Sequence, residues 1–305
     1  MKECAIILDC DPGIDDAVAM AVLLRACGER VKLVVTSYGN VSIEKTTRNA
    51  LGMLALLGAD VPVARGAARP GPGNAVYENA AYIHGGDGLG GLWGSGLLNQ
   101  LPVREALEGD ALQIVYDAIV EEGCADYIAL GPLTNLSALM RRFPEAAARL
   151  RRVVVMGGGI GMGNVSEFAE FNFHCDAESA GHVLSAVQGV TLVPIDVTSR
   201  VYFDLEGIAA VGAAGTPVAR AMEAMLAANY RACLAYGDAG AVVHDATAVM
   251  AYLRPELFEF KTCGVRAACE GERYGESTVV RGGNVRLATG VAAERVLEGV
   301  AGRLV

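Results

Sequence analysis

The sequence predicts an α/β fold: one mostly parallel, doubly wound sheet with helices on both faces. Three observations carry this. Short β-rich runs alternate with longer helical patterns along the 305 residues. The apolar residues of those runs are continuous rather than alternating, as in strands covered on both faces. The unusual polar residues cluster where the runs end, the edge of an open parallel sheet at which ligands bind.

Taken in order, strands are expected at residues 5–8 (AIIL), 31–37 (VKLVVTS), 61–64 (VPVA), 127–130 (YIAL), 153–156 (VVVM) and 190–195 (VTLVPI). Helical patterns follow at 14–27, 43–57, 111–122, 133–143, 177–187, 217–235, 245–252 and 291–304. Strand then helix, repeated, requires parallel crossovers. Residues 258–289 read as strands and turns before the last helix. The glycine-rich stretch 85–96 reads as a long loop, and such loops inside a compact domain are functional or mobile. No linker, repeat or low-complexity tract divides the chain, so residues 1–305 are expected to form one domain.

Composition narrows the function. Hydrophobic residues make up 52% and charged residues 20%, which places the chain among globular proteins. The formal net charge of −10 repels phosphate backbones and argues against nucleic acid as a partner. Eight cysteines are scattered without a CxxC spacing, which argues against a structural zinc site. Their apolar surroundings suit buried free thiols in a reducing compartment. The N-terminus meets aspartate too early for a signal peptide, and no apolar run reaches membrane-spanning length. A cytoplasmic protein with no membrane contact is expected.

The stretch DCDPGIDD places Asp9, Asp11, Asp15 and Asp16 within eight residues, directly after the first strand. One reading is helix capping: Asp11 as N-cap, Pro12 at N1, and Asp15 and Asp16 favoured by the helix dipole. It does not require Asp9. The other is a cation site, since clustered carboxylates become favourable around a divalent ion, and with no competing set of His and Cys ligands nearby calcium or magnesium fits better than zinc. Both readings stand on this stretch alone.

Other polar groups also follow strands: Ser37 to Asn40, the turn Leu130-Gly131-Pro132, the run Met156-Gly157-Gly158-Gly159, and Asp196. GDGLGG matches GxGxxG, but no strand precedes it, so a dinucleotide fingerprint is not supported. In EFAEFNFHCDAE (167–178) and VVHDATAVMAYL (242–253), helix capping suffices in isolation. His84, in the glycine loop, would ordinarily be a solvated surface histidine.

Together these pieces resemble the nucleoside hydrolases of the inosine–uridine preferring type. DCDPGIDDAVAM, TSYGNVSIEKTTRNA, IHGGDGLGG, LGPLTNLSAL, VVVMGGGIGMGNVSEFAEFN and VHDATAV occur in that family's order across nearly the whole chain. The resemblance implies the family's fold and the hydrolysis of ribonucleoside N-glycosidic bonds to base and ribose. It implies a Ca2+ ion held by Asp11, Asp16, the backbone carbonyl of Leu130 and Asp245. Asp15, Asn40, Asn164, Glu170 and Asn172 would hold the ribose, with Met156 against the sugar and Asp9 supporting the site from behind. His84 and His244 would lie near the base. Asp11 would take a proton from calcium-bound water, His244 would protonate the leaving base, and the loop 77–92 would close over it. A homodimer or homotetramer is implied as well.

Ala246 stands where many relatives carry proline, beside an intact Asp245. Tyr230 and Tyr236 are possible base contacts, while Ala228 and Ala232 offer no polar group to read a pyrimidine edge. A haloacid-dehalogenase-like phosphatase is a rival on the strength of LDCD. However, Pro12-Gly13 follows the second aspartate, and the chain has only four lysines, at 2, 32, 45 and 261. A non-catalytic nucleoside- or calcium-binding module is the other rival.

Overall fold

The first strand, β1 (Ala5–Cys10), is buried along its whole length, and the sheet grows from it in both directions. The computed structural model describes residues 3–71 and 79–305. From β1 the chain passes through α1 (Ile14–Cys27), β2 (Val31–Thr36), α2 (Ile43–Leu57) and β3 (Val63–Arg65). It then crosses to the other side through α3 (Ala81–His84), α4 (Ala111–Glu122) and β4 (Ala125–Ala129). There follow α5 (Thr134–Arg142), α6 (Pro144–Ala147), β5 (Leu150–Met156), α7 (Phe171–Cys175), α8 (Ala177–Ala186) and β6 (Thr191–Val193).

The strand order is β3-β2-β1-β4-β5-β6, continued by β10 (Ser277–Val291) and β9 (Phe258–Ala267). β1 pairs in parallel with both β2 and β4. β10 lies parallel to β6 and antiparallel to β9. The winding direction reverses at β1, so the crevice beyond the carboxyl ends of β1 and β4 is the topological switch point, the place where such sheets bind ligands.

Alternation along β1 splits its side chains between two cores. Ile6, Leu8 and Cys10 face the core shared with α1 and the later helices, while Ile7 joins Val115, Leu136 and Val183 on the opposite face. Burial on both faces explains the unbroken apolar runs.

Between β6 and β9 the chain forms α9 (Ile195–Thr198), β7 (Tyr202–Phe203), α10 (Leu205–Gly212), α11 (Pro217–Ala235), β8 (Ala241–Val242) and α12 (His244–Leu253). The two-residue strands β7 and β8 pair with each other, apart from the main sheet. The last helix, α13 (Ala293–Ala301), is shorter than the expected 291–304 because β10 runs on to Val291. Among the described residues no helix is long and apolar enough to cross a membrane.

The expectation of free thiols fails at one pair: Cys4 and Cys124 are joined by a disulfide. The register explains it. Ala5 of β1 lies opposite Ala125 of β4, so the residues just before the two strands meet. The other six cysteines are free.

Candidate active site

The site begins with how β1 becomes α1. The helix starts at Ile14, with Gly13 as N-cap, two residues later than the capping reading of Asp11 requires. Asp16 therefore takes the capping role: its Oδ2 accepts the Gly13 N–H at 3.0 Å and its Oδ1 the Asp11 N–H at 3.1 Å. Asp11 is left outside the helix, and its Oδ2 accepts the backbone N–H of Asn40, beyond β2, at 2.8 Å. The Asn40 side chain donates to the Asp11 carbonyl at 3.1 Å and to Asp16 Oδ2 at 2.9 Å. Two glycines make room for this carboxylate. A Cβ at Gly39 would sit 1.9 Å from Asp11 Oδ2, and one at Gly131 2.5 Å from Oδ1.

Behind the loop, Asp9 accepts from the Tyr127 hydroxyl at 2.7 Å and from Asn135 Nδ2 at 2.9 Å. Burial still raises its pKa to about 7. From α12, Asp245 closes the far side. One carboxylate oxygen each of Asp15, Asp16 and Asp245 lie within 4.8 Å of one another, all three side chains buried. The tightest acidic group is thus Asp15, Asp16 and Asp245, with Asp11 outside it and bonded to the Asn40 N–H, whereas the sequence reading grouped Asp11, Asp16 and Asp245 with the Leu130 carbonyl. That carbonyl accepts from Asn172 Nδ2 at 2.6 Å.

Burial first, and mutual repulsion second, push Asp11 and Asp245 well above the ordinary carboxylate range and Asp16 to about 6. Burial also raises Asp15, partly offset by the His244 charge. No lysine or arginine lines the cavity among the described residues. Such a set is satisfied by protons or by a hard cation with oxygen ligands, so the residues fit a divalent ion.

A cavity of about 380 Å³ opens above these carboxylates. Asp11, Asp15, Asn40, His84, Leu130, Met156, Asn164, Glu170, Asn172, His244 and Asp245 line it, while Asp16 and Asp9 lie behind the wall. Glu170 caps the short helix α7, accepting from Asn172 N at 2.9 Å and Phe173 N at 3.1 Å, and from Gly158 N at 2.7 Å. Burial outweighs these bonds and raises its pKa to about 7. Asn172 Nδ2 also meets Met156 Sδ at 3.4 Å. Asn164 is exposed, and its Oδ1 accepts the Phe171 N–H at 2.9 Å. Asp196 carries no site geometry; it accepts the Ile160 and Gly161 N–H groups and so pins the glycine run after β5.

His84 is not a surface residue. It ends α3 and is buried, and its Nδ1 accepts the Ile14 N–H at 3.1 Å. That bond leaves the proton on Nε2, and burial lowers the pKa to about 4, so the ring is neutral near pH 7. His244, the first residue of α12, shares a 2.7 Å hydrogen bond between Nδ1 and the Thr198 hydroxyl. Burial lowers its pKa also, against the raising effect of Asp15.

The cavity is also lined by Tyr82 of the expected closing loop, by the expected Tyr236, and by residues the sequence reading passed over: Ser199, Asn229, Cys233 and Asp238. The rings of Tyr82 and Tyr236 lie 5.2 Å apart and are largely exposed. Tyr230 packs against the core instead. Of the expected closing loop 77–92, residues 77 and 78 lie outside the described residues; Ala80, Tyr82, Ile83 and His84 of the remainder line the cavity.

Buried carboxylates thus lie at the switch point of a doubly wound α/β sheet, under a cavity of about 380 Å³. The chain matches the family described as inosine-uridine preferring nucleoside hydrolase over residues 6–298 and belongs to it. It is 36% identical over 281 residues to the non-specific ribonucleoside hydrolase RihC of Salmonella agona, covering 90% of this chain and 87% of that one. Identity to the RihC of Klebsiella pneumoniae is 38% over 279 residues, with the same coverage. Among solved structures, a plant nucleoside hydrolase, PpNRh1, superposes with a TM-score of 0.91 at 27% identity over 99% of both chains. A purine-preferring ribonucleoside hydrolase from Gardnerella vaginalis gives 0.90 at 25% over 98% of both.

Proposed function

We propose that this enzyme hydrolyses ribonucleosides to free base and ribose, with a calcium ion held among Asp11, Asp16, Asp245 and the Leu130 carbonyl and with Asp11 as general base. The observation that carries this reading is the cavity: its lining brings together buried carboxylates with no lysine or arginine, the amides of Asn40 and Asn172, two histidines and the exposed rings of Tyr82 and Tyr236. The carboxylates and amides suit a sugar, and the histidines and rings suit a base.

Asp11, Asp16, Asp245 and the Leu130 carbonyl, with Asp15 adjacent, are the groups that would hold the ion. Such an ion would supply Lewis-acid chemistry for the ribose hydroxyls and for water. Asp11, fixed by Asn40 and fitted between Gly39 and Gly131, takes the proton from the attacking water. Asp15, Asn40, Asn164, Glu170 and Asn172 hold the ribose, and Met156 packs against it. As the bond to the base breaks, oxocarbenium-like positive charge develops on the sugar, and the surrounding carboxylates stabilise it. His244 donates a proton to the leaving base; Thr198 engages its Nδ1 and leaves Nε2 for that task. His84, neutral with its proton on Nε2, helps as a hydrogen-bond donor to the base. The chain works in the cytoplasm as a homodimer or homotetramer.

Ribose release from inosine, uridine, cytidine, adenosine and guanosine tests the activity, with elemental analysis of the purified protein for calcium. Turnover of at least one nucleoside is expected, falling roughly 10³-fold or more in Asp11→Ala with the fold retained by circular dichroism. Retained activity in that variant removes Asp11 from its role. Full activity with no bound metal removes the ion.

A further inference from the structure

One residue at the mouth has no explanation in the fold. Asp238 follows the C-terminus of α11, a 19-residue helix. Gly237 has φ of +93°. The Asp238 N–H bonds to the Cys233 carbonyl at 3.0 Å and the Gly237 N–H to the Leu234 carbonyl at 3.2 Å. These two bonds form a Schellman motif with Asp238 at its C″ position, where an apolar residue ordinarily packs back on the helix. The helix dipole also disfavours an acid at this end. Among the described residues no cation is paired with the carboxylate, and the single proton of the nearby Cys233 thiol goes to Asn229 Oδ1 at 2.9 Å. The cap does fix it in place, as part of the cavity wall together with Cys233, Tyr236 and Ser199.

A carboxylate offers two adjacent acceptors and no donor. Among the common nucleobases, only guanine presents two adjacent N–H donors on the edge away from the sugar: N1–H and the 2-amino group. Hypoxanthine offers N1–H alone. Adenine and cytosine place an amino group beside an acceptor, and the uracil imide N–H lies between two acceptors. We propose that Asp238 is a specificity-determining residue that receives the N1–H and 2-amino donors of guanine, so that the enzyme recognises guanosine through it. This rests on the nucleoside-hydrolase reading of the cavity and adds the base edge that the cavity reads. Asn229, the other polar side chain on the adjoining turn of α11, is already committed: its Nδ2 donates to the Val242 carbonyl and its Oδ1 accepts the Cys233 thiol.

The test is the ratio of kcat/KM for guanosine to that for inosine in the wild type, Asp238→Asn and Asp238→Ala. A ratio cancels any difference in the fraction of folded enzyme. Loss of a charge-assisted hydrogen bond at a solvent-exposed mouth is expected to lower it about tenfold in both variants. A ratio within about twofold of the wild type in both overturns the proposal. If no nucleoside is hydrolysed, the hydrolase reading fails separately. Calorimetric affinities of guanosine and inosine for the wild type and Asp238→Asn then decide the Asp238 claim by the same ratio.

Discussion

Asp11 occupies a slot that two distant glycines keep open. Gly39 follows β2 and Gly131 follows β4, so three strand ends converge on one carboxylate. In Gly131→Ala the new Cβ would lie 2.5 Å from Asp11 Oδ1 and 3.0 Å from Ser37 Oγ. The carboxylate must move, while nothing else at this position demands glycine by its φ. With Asp11 as the proposed general base, misplacing it by about an ångström costs roughly 10²-fold in rate. Gly131→Ala is therefore expected to lose about 100-fold in kcat/KM while its melting temperature stays close to the wild type; steady-state kinetics beside thermal melting checks both. The acidic cluster itself was legible in the sequence, because four aspartates after an apolar run need a reason. Their division of labour was not. Whether Asp11 or Asp16 caps α1 depends on where the helix starts, and Pro12-Gly13 permits either. The surface reading of His84 in isolation fails because its burial is created by the start of α1, 70 residues away; only the family resemblance points it towards the site.

At the scale of elements, the strands buried on both faces announced themselves by unbroken apolar runs. β7, β8 and α10 did not, since two-residue strands carry no periodicity and are defined only by each other. The Cys4–Cys124 bond was equally invisible, because it depends on β1 and β4 being neighbours 120 residues apart. The same end of the sheet holds a charged hub. Asp126, at the start of β4, receives Arg30 Nη2 at 3.1 Å, Arg151 Nη2 at 3.1 Å, Arg152 Nη2 at 3.3 Å and the Tyr252 hydroxyl at 2.7 Å. Burial pushes its pKa up, but the bonds from Arg151 and Tyr252 and the arginine charges outweigh it, and the net shift is downward. A carboxylate lowered on folding stabilises the protein above its unfolded pKa of about 3.9, and that contribution is lost as pH falls through the folded value. Asp126→Asn is expected to cost about 1–3 kcal/mol at pH 7, with the gap to the wild type closing as pH falls below about 4. Denaturant melts at pH 7 and pH 3.5 check this, and an equal gap at both pH values would count against the hub's charge.

For the whole molecule, the two edges of the sheet carry opposite electrostatics. At the amino-terminal edge one carboxylate is matched by three arginines. At the carboxyl edge several carboxylates face one another with no lysine or arginine among the cavity residues. Burial raises Asp16 to about 6 and Asp9 and Glu170 to about 7, and it lifts Asp11 and Asp245 well above the usual range. An acid raised on folding favours the native state below its unfolded pKa of about 4, and that advantage is lost as pH rises through the folded value. The cation-free protein should therefore lose stability between about pH 5 and pH 8. A divalent ion bound among the ionised carboxylates restores it, by about 2.7 kcal/mol at a hundredfold excess over its dissociation constant. At low pH protons compete for the same oxygens, so the ion contributes less. Melting temperatures of chelator-treated protein with and without calcium should differ more at pH 8 than at pH 5.5. A calcium-induced rise that is absent at pH 8, or larger at pH 5.5, would remove the ion from the carboxylate group and leave the cluster neutralised by protons alone.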